Sequence, residues 1–131
     1  MSNNNVQETI LAYLVERGWD KLPVEDLAKS ISIESAELLE HFQWTNTHRG
    51  QASKITNESI KANPTQKEEI ESELADVLIY AIQGCIQLGS NYEEVILRKL
   101  EKAKIKYPPS VGLNNEEYLR IKKEYRTKKQ K

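Results

Sequence analysis

The sequence predicts an all-α protein, a four-helix-bundle-like arrangement with a short C-terminal helix and a core completed by dimerisation. Three observations carry this expectation. Only 5 Gly and 4 Pro interrupt 131 residues, a composition that favours helices. Apolar residues recur at three- and four-residue steps in successive stretches. Residues that start or stop helices bound most of those stretches. Dimerisation follows from polarity: 38% of residues are hydrophobic and 30% are charged, so a single small bundle gains core by pairing with a copy of itself.

Val6, Ile10, Leu11, Leu14 and Val15 share a helical face, and Gly18 stops that first helix. Pro23 stands at the start of the second, where its missing N–H costs nothing. Val24, Leu27, Ile31, Leu38 and Phe42 carry this helix to about His41–Trp44. Residues 45–65 lack an apolar period and predict a loop, with room for one short helix around Gln51–Ile60. Thr65 is the expected N-cap of the third helix, with Glu68 as its capping-box partner. Ile70, Leu74, Val77, Leu78, Ala81, Ile82 and Cys85 form a broad apolar face that ends before Gly89. Ser90 and Glu93 repeat the capping box, and Val95, Ile96, Leu100 and Ala103 line a fourth helix that Pro108-Pro109 stops. Asn114 with Glu117 caps a last short helix, where Tyr118, Ile121 and Tyr125 share a face and the terminal lysines fray. The expected organisation is a helical domain over 1–110 followed by a basic helix or tail over 111–131.

Composition also excludes classes. The single Cys85 rules out an intramolecular disulfide and a cysteine zinc cluster, and suits an inert core thiol in a reducing, cytoplasmic setting. The polar start Met1-Ser2-Asn3-Asn4-Asn5 does not read as a signal peptide, and no apolar run reaches the length of a membrane span. Net charge is −1, yet residues 1–97 hold 7 Lys/Arg and 16 Asp/Glu, whereas residues 98–131 hold 12 and 4. An acidic body collects cations and a basic end attracts phosphates, although two complementary solvated faces would give the same asymmetry.

The chemistry lies in two acid pairs. The second helix carries Glu34-Ser35-Ala36-Glu37 and the third carries Glu73-Leu74-Ala75-Asp76. Residues three apart project on nearly one face, so each pair aims two carboxylates at one point. Both pairs sit among core-type residues, where an anion is costly unless paired or metal-bound. Four close carboxylates also raise one another's pKa values. A divalent cation resolves both problems, and an all-carboxylate set suits Mg²⁺, with Mn²⁺ as a substitute. Either pair alone is ordinary helix decoration; for the two together, decoration and a metal site are equal readings. A di-iron or di-manganese bundle needs E-x-x-H pairs, and neither acid pair has a His at the fourth position. A non-enzymatic helical module, binding nucleic acid or protein through its basic end, is the alternative, with Tyr118 and Tyr125 available to stack on bases. The acidic body makes a nucleic-acid partner the poorer expectation.

The segments Ile33-Glu34-Ser35-Ala36-Glu37-Leu38-Leu39-Glu40-His41-Phe42-Gln43-Trp44 and Glu73-Leu74-Ala75-Asp76-Val77-Leu78-Ile79-Tyr80 resemble the MazG-like all-α NTP pyrophosphohydrolases. The similarity is greatest to the small branch that includes dCTP pyrophosphatases, and it spans approximately residues 10–108. The resemblance implies hydrolysis of a (d)NTP to a (d)NMP and pyrophosphate in nucleotide-pool housekeeping. It implies that Glu34, Glu37, Glu73 and Asp76 bind Mg²⁺ and form the catalytic set. It implies that Trp44 and Tyr80 line a base pocket. Lys99, Lys102 and Lys106, in the stretch leading to Tyr107-Pro108, become phosphate-binding candidates. It further implies a homodimer, or a tetramer built from dimers. Three departures bear on substrate identity and hardly touch the metal site: Ala103 stands where the family commonly has Asn, Asp20-Lys21-Leu22-Pro23 lacks a His found in dCTP-type relatives, and the connection between the acid motifs is longer. His41 lies about two turns from Glu34 on nearly the same face, and Trp19 is expected to pack at the entrance of the second helix, with a place at a pocket edge as the alternative.

Overall fold

The computed structural model describes residues 5–43, 46–47, 51–52 and 55–129, with residues 46–47 and 51–52 described by backbone alone. Among the described residues six helices follow in order: α1 (Val6–Arg17), α2 (Val24–Glu40), α3 (Asn57–Lys61), α4 (Pro64–Gln87), α5 (Tyr92–Lys106) and α6 (Asn115–Lys129). Between α2 and α3, β1 (Asn46–Thr47) pairs antiparallel with β2 (Gln51–Ala52), Asn46 opposite Ala52. The all-α expectation holds. No helix among the described residues is long and apolar enough to cross a membrane.

Two compact units divide the chain, Met1–Asn91 and Tyr92–Lys131. In the first, α4 is the hub: α2 packs along it most extensively, with α1 and α3 against it as well. Ile10 and Leu14 from α1, Leu27 from α2, and Ile70 and Ile82 from α4 are its buried apolar residues. The helical period selected these positions correctly but overstated their number. Val6, Val15, Leu74 and Leu78 share the period, yet all four are exposed in the single chain.

Local chemistry sets the helix ends. The Asn5 side chain accepts from the Gln7 and Glu8 amides and caps α1. At its other end Gly18 takes φ 69°, a left-handed conformation that favours glycine. The Gly18 N–H then reaches the Val15 carbonyl and the Trp19 N–H the Leu14 carbonyl, closing a Schellman turn that fixes where Trp19 leaves the helix. The same device ends α4: Gly89 has φ 69°, and the Ser90 N–H returns to the Cys85 carbonyl.

Three boundaries differ from expectation. The N-cap of α4 is Asn63, whose side chain accepts from the Gln66 amide, with Pro64 in the first turn; this start precedes the Thr65–Glu68 box. Helix α2 ends at Glu40, and His41, Phe42 and Gln43 form a tighter turn by bonding three residues back. The helix over the long connection is one turn, α3, closed by a Thr56–Ser59 capping box.

In the second unit, Pro108 follows α5 as a stop, and the Asn114 side chain accepts from the Glu117 amide at 3.1 Å to cap α6 as expected. Helix α6 is not short: its 15 residues equal α5 in length and reach Lys129. Lys and Arg are good helix formers, and Arg120 binds both Glu117 and Glu124 along one face. Tyr118 stacks on Tyr107 with ring centroids 5.0 Å apart, over a core that includes Val111 and Ile121.

Candidate functional site

Helices α2 and α4 are the two longest, and their packing brings the acid pairs together. One carboxylate oxygen from each of Glu34, Glu73 and Asp76 lies within 4.8 Å of the others. Glu37 is not one of this group, although it stands close enough to Glu34 to act on its carboxyl. Glu37 is exposed, whereas Glu34, Glu73 and Asp76 are half-buried. The i, i+3 spacing within each helix and the pairing of the two helices are sufficient to produce this cluster.

Its electrostatics are unfavourable without a counter-charge. Desolvation pushes the Glu34 carboxyl above its ordinary value, and the hydrogen bond and charge of Glu37, then the charges of Asp76 and Glu73, push it the same way. Glu34 Oε2 and Glu73 Oε2 are enclosed and have no hydrogen-bond partner. An enclosed, unpartnered carboxylate oxygen is costly. A divalent cation supplies what these oxygens lack, and the all-oxygen donor set is the one hard cations take. The residues therefore fit a Mg²⁺- or Mn²⁺-type ion.

His41 stands beside this cluster at the end of α2. Its Nε2 lies 3.5 Å from Glu73 Oε1, so the imidazole stands beside one oxygen of Glu73 while the other is unpartnered. Glu37, Glu40, His41 and Glu73 line a hollow of about 360 Å³. A larger cleft, about 610 Å³, opens beside Asp76 between α1 and α4. Tyr80 lines it, together with Tyr13, Trp19, Leu22, Ile79 and Gln83. Tyr13 and Trp19 meet edge to face, 6.2 Å between centroids, and Arg17 lies over the Tyr13 ring.

Tyr80 lies in the cleft beside Asp76, and Trp19, expected to pack with a pocket-edge role as the alternative, is a half-exposed wall of that cleft. Sequence reasoning missed Tyr13 and Gln83. Tyr13 lies on the same face of α1 as Val6 and Ile10, and only tertiary packing reveals that it shares the cleft with Tyr80 and Gln83 of α4. Trp44 lies outside the described residues. Lys99 and Lys102 are exposed on α5 in the second unit, three residues apart and in no ion pair among the described residues. Lys106 is engaged there instead, its Nζ 4.8 Å from the Tyr125 ring and 5.1 Å from that of Tyr107.

A pH dependence follows from the raised Glu34 pKa. Below about pH 4.5, the ordinary value, the carboxyl is protonated whether the chain is folded or not, and it costs the fold nothing. As pH rises through the higher folded value, the unfolded state ionises more readily and this contribution to stability is lost. With metal chelated, denaturant titrations should show Glu34→Gln gaining on the parent as pH rises from about 4.5 towards neutrality. Identical pH profiles for the two proteins would mean that no such repulsion exists.

A helical protein whose longest helices converge on a carboxylate cluster is the class that fold and site define. Residues 29–120 match the MazG-like family, and the chain belongs to that family. It is similar to the crystal structure of a pyrophosphatase from Archaeoglobus fulgidus, 39% identical, with a TM-score of 0.61 over 79% of this chain and 89% of that one. No curated protein sequence matches the chain.

Proposed function

We infer that the protein is a Mg²⁺-dependent nucleoside-triphosphate pyrophosphohydrolase, cleaving a (d)NTP to (d)NMP and pyrophosphate in cytoplasmic nucleotide-pool housekeeping. The observation that carries this reading is the pair of enclosed, unpartnered oxygens on Glu34 and Glu73, clustered with Asp76 beside an aromatic cleft. Family membership and the pyrophosphatase relative from Archaeoglobus fulgidus support the same reaction class.

In this reading Glu34, Glu37, Glu73 and Asp76 hold the ion, and His41 orients Glu73. A divalent cation bound there neutralises phosphate charge and stabilises pyrophosphate as a leaving group. A carboxylate left outside coordination orients a water in line with the α-phosphorus and accepts its proton. Lys99 and Lys102 bind the outgoing pyrophosphate as point charges. Tyr80 and Trp44 flank the base. Tyr80→Ala should weaken nucleotide binding by about 5- to 150-fold, the worth of a stacking ring, and leave inorganic pyrophosphate binding nearly unchanged. Equal losses for both ligands, measured by calorimetry, would make Tyr80 a structural residue. A panel of ribo- and deoxyribonucleoside triphosphates with Mg²⁺, scored separately for pyrophosphate and orthophosphate, tests the activity and ranks substrates.

The alternative of a non-enzymatic module is weaker. Tyr118 is stacked on Tyr107 and Tyr125 lies beneath Lys106, so the two rings that would meet bases are already engaged.

Assembly belongs to the same proposal. Leu74 and Leu78, one turn apart on α4, and Ile33 on α2 leave apolar side chains exposed in a single chain. A homodimer, or a tetramer built from dimers, covers such faces. Sedimentation velocity should give a dimer or larger species, and Leu78→Glu should shift it towards monomer. A fully active monomer at low micromolar concentration would refute this.

A further inference from the structure

Among the described residues Gln83 is the buried polar residue of the first unit, with 5% of its surface exposed. It lies on α4 seven residues beyond Asp76 and three beyond Tyr80, so the three share one stripe of the helix, and all three line the 610 Å³ cleft. A carboxamide offers one acceptor oxygen and two N–H donors. Among the described residues, the side chain of Gln83 has no hydrogen-bond partner. It is also not sealed: the enclosed, unpartnered side-chain atoms are the oxygens of Glu34 and Glu73. The amide of Gln83 is therefore buried and open to the cleft it lines.

The cleft around it is built for a flat, uncharged ring. Tyr13, Trp19, Tyr80, Leu22 and Ile79 supply its aromatic and aliphatic walls, and none of its lining residues is basic. Phosphate groups have no counter-charge there. A heterocycle with an apolar face and a hydrogen-bonding edge has both of its requirements met. Along α4, Gln83 lies about 10 Å beyond Asp76 at 1.5 Å per residue, which leaves room for a sugar between metal-bound phosphates and the amide.

We propose that Gln83 reads the hydrogen-bonding edge of the nucleobase, its carbonyl accepting from a base N–H while its amino group donates to the neighbouring ring nitrogen or carbonyl. This rests on the nucleotide reading above and assigns the residue that sets base preference at that site. Glutamine makes this bidentate contact with a base wherever donor and acceptor stand side by side.

The test is calorimetric binding, with Mg²⁺ present, of non-hydrolysable α,β-methylene triphosphates of each base and of inorganic tripolyphosphate, to the parent and to Gln83→Met. The methionine keeps the volume and removes both hydrogen bonds. Expected is a loss of about 5- to 150-fold for the preferred nucleotide, the worth of one bidentate pair, and a narrower spread among bases. Tripolyphosphate, which has no base, should bind both proteins alike, which also shows that the variant is folded. Unchanged nucleotide affinities, or equal losses for nucleotides and tripolyphosphate, would overturn the assignment. A parent protein that binds tripolyphosphate and no nucleotide better would overturn it while leaving the metal centre standing. A parent that binds none of these ligands would remove the nucleotide reading itself.

Discussion

Asp76→Asn and Glu73→Gln should each lower turnover by about 100-fold or more while leaving helical content unchanged. Each replacement keeps the shape of the side chain and removes a negative charge from the cluster formed with Glu34. Residues that only support a metal ligand typically cost 10- to 100-fold in affinity or activity when changed, so loss of a ligand should cost at least the upper end of that range. The fold should survive, because these carboxylates repel one another and a neutral amide relieves that repulsion. Circular dichroism and steady-state kinetics on the same preparations check both halves. Parent-like rates in either variant would remove that residue from the site.

Mg²⁺ or Mn²⁺ should stabilise the folded chain strongly. A ligand that binds only the native state at 100 times its Kd contributes about 2.7 kcal/mol, which for a domain of this size is a rise in Tm on the order of 10 °C. The cluster gives a reason to expect selectivity for the native state: Glu34 and Glu73 lie on different helices and converge only when α2 packs on α4. Glu34→Gln should melt higher than the parent in chelator and respond less to the ion. Thermal melts in chelator and in excess metal measure this. A parent protein with the same Tm in both would mean that the enclosed oxygens are not a cation site.

What the sequence made legible was whatever depends on local spacing. The acid pairs were readable because three residues of helix place two carboxylates together, and the packing of α2 on α4 needed only the apolar periods beside them. Gly18 and Gly89 marked helix ends because the left-handed turn that follows a helix favours glycine. The start of α4 was misplaced because Asn63-Pro64 and Thr65–Glu68 are competing caps, and the cap ahead of the proline prevails. The length of α6 was underestimated because its apolar stripe ends at Tyr125, whereas helix-forming Lys and Arg continue to Lys129. The cleft was hardest to foresee. Tyr13 and Trp19 belong to α1 and its turn, and nothing local to them announces that Tyr80 and Gln83 lie opposite.

The central claim is attack at the α-phosphorus by a water activated at a metal-dependent carboxylate site. Hydrolysis of nucleoside triphosphates in ¹⁸O-labelled water, with products resolved by mass spectrometry, tests it most directly. The account predicts labelled monophosphate and unlabelled pyrophosphate, formed with Mg²⁺ and abolished by chelator. Label in pyrophosphate, release of orthophosphate with a diphosphate, or turnover that persists in excess chelator would contradict it.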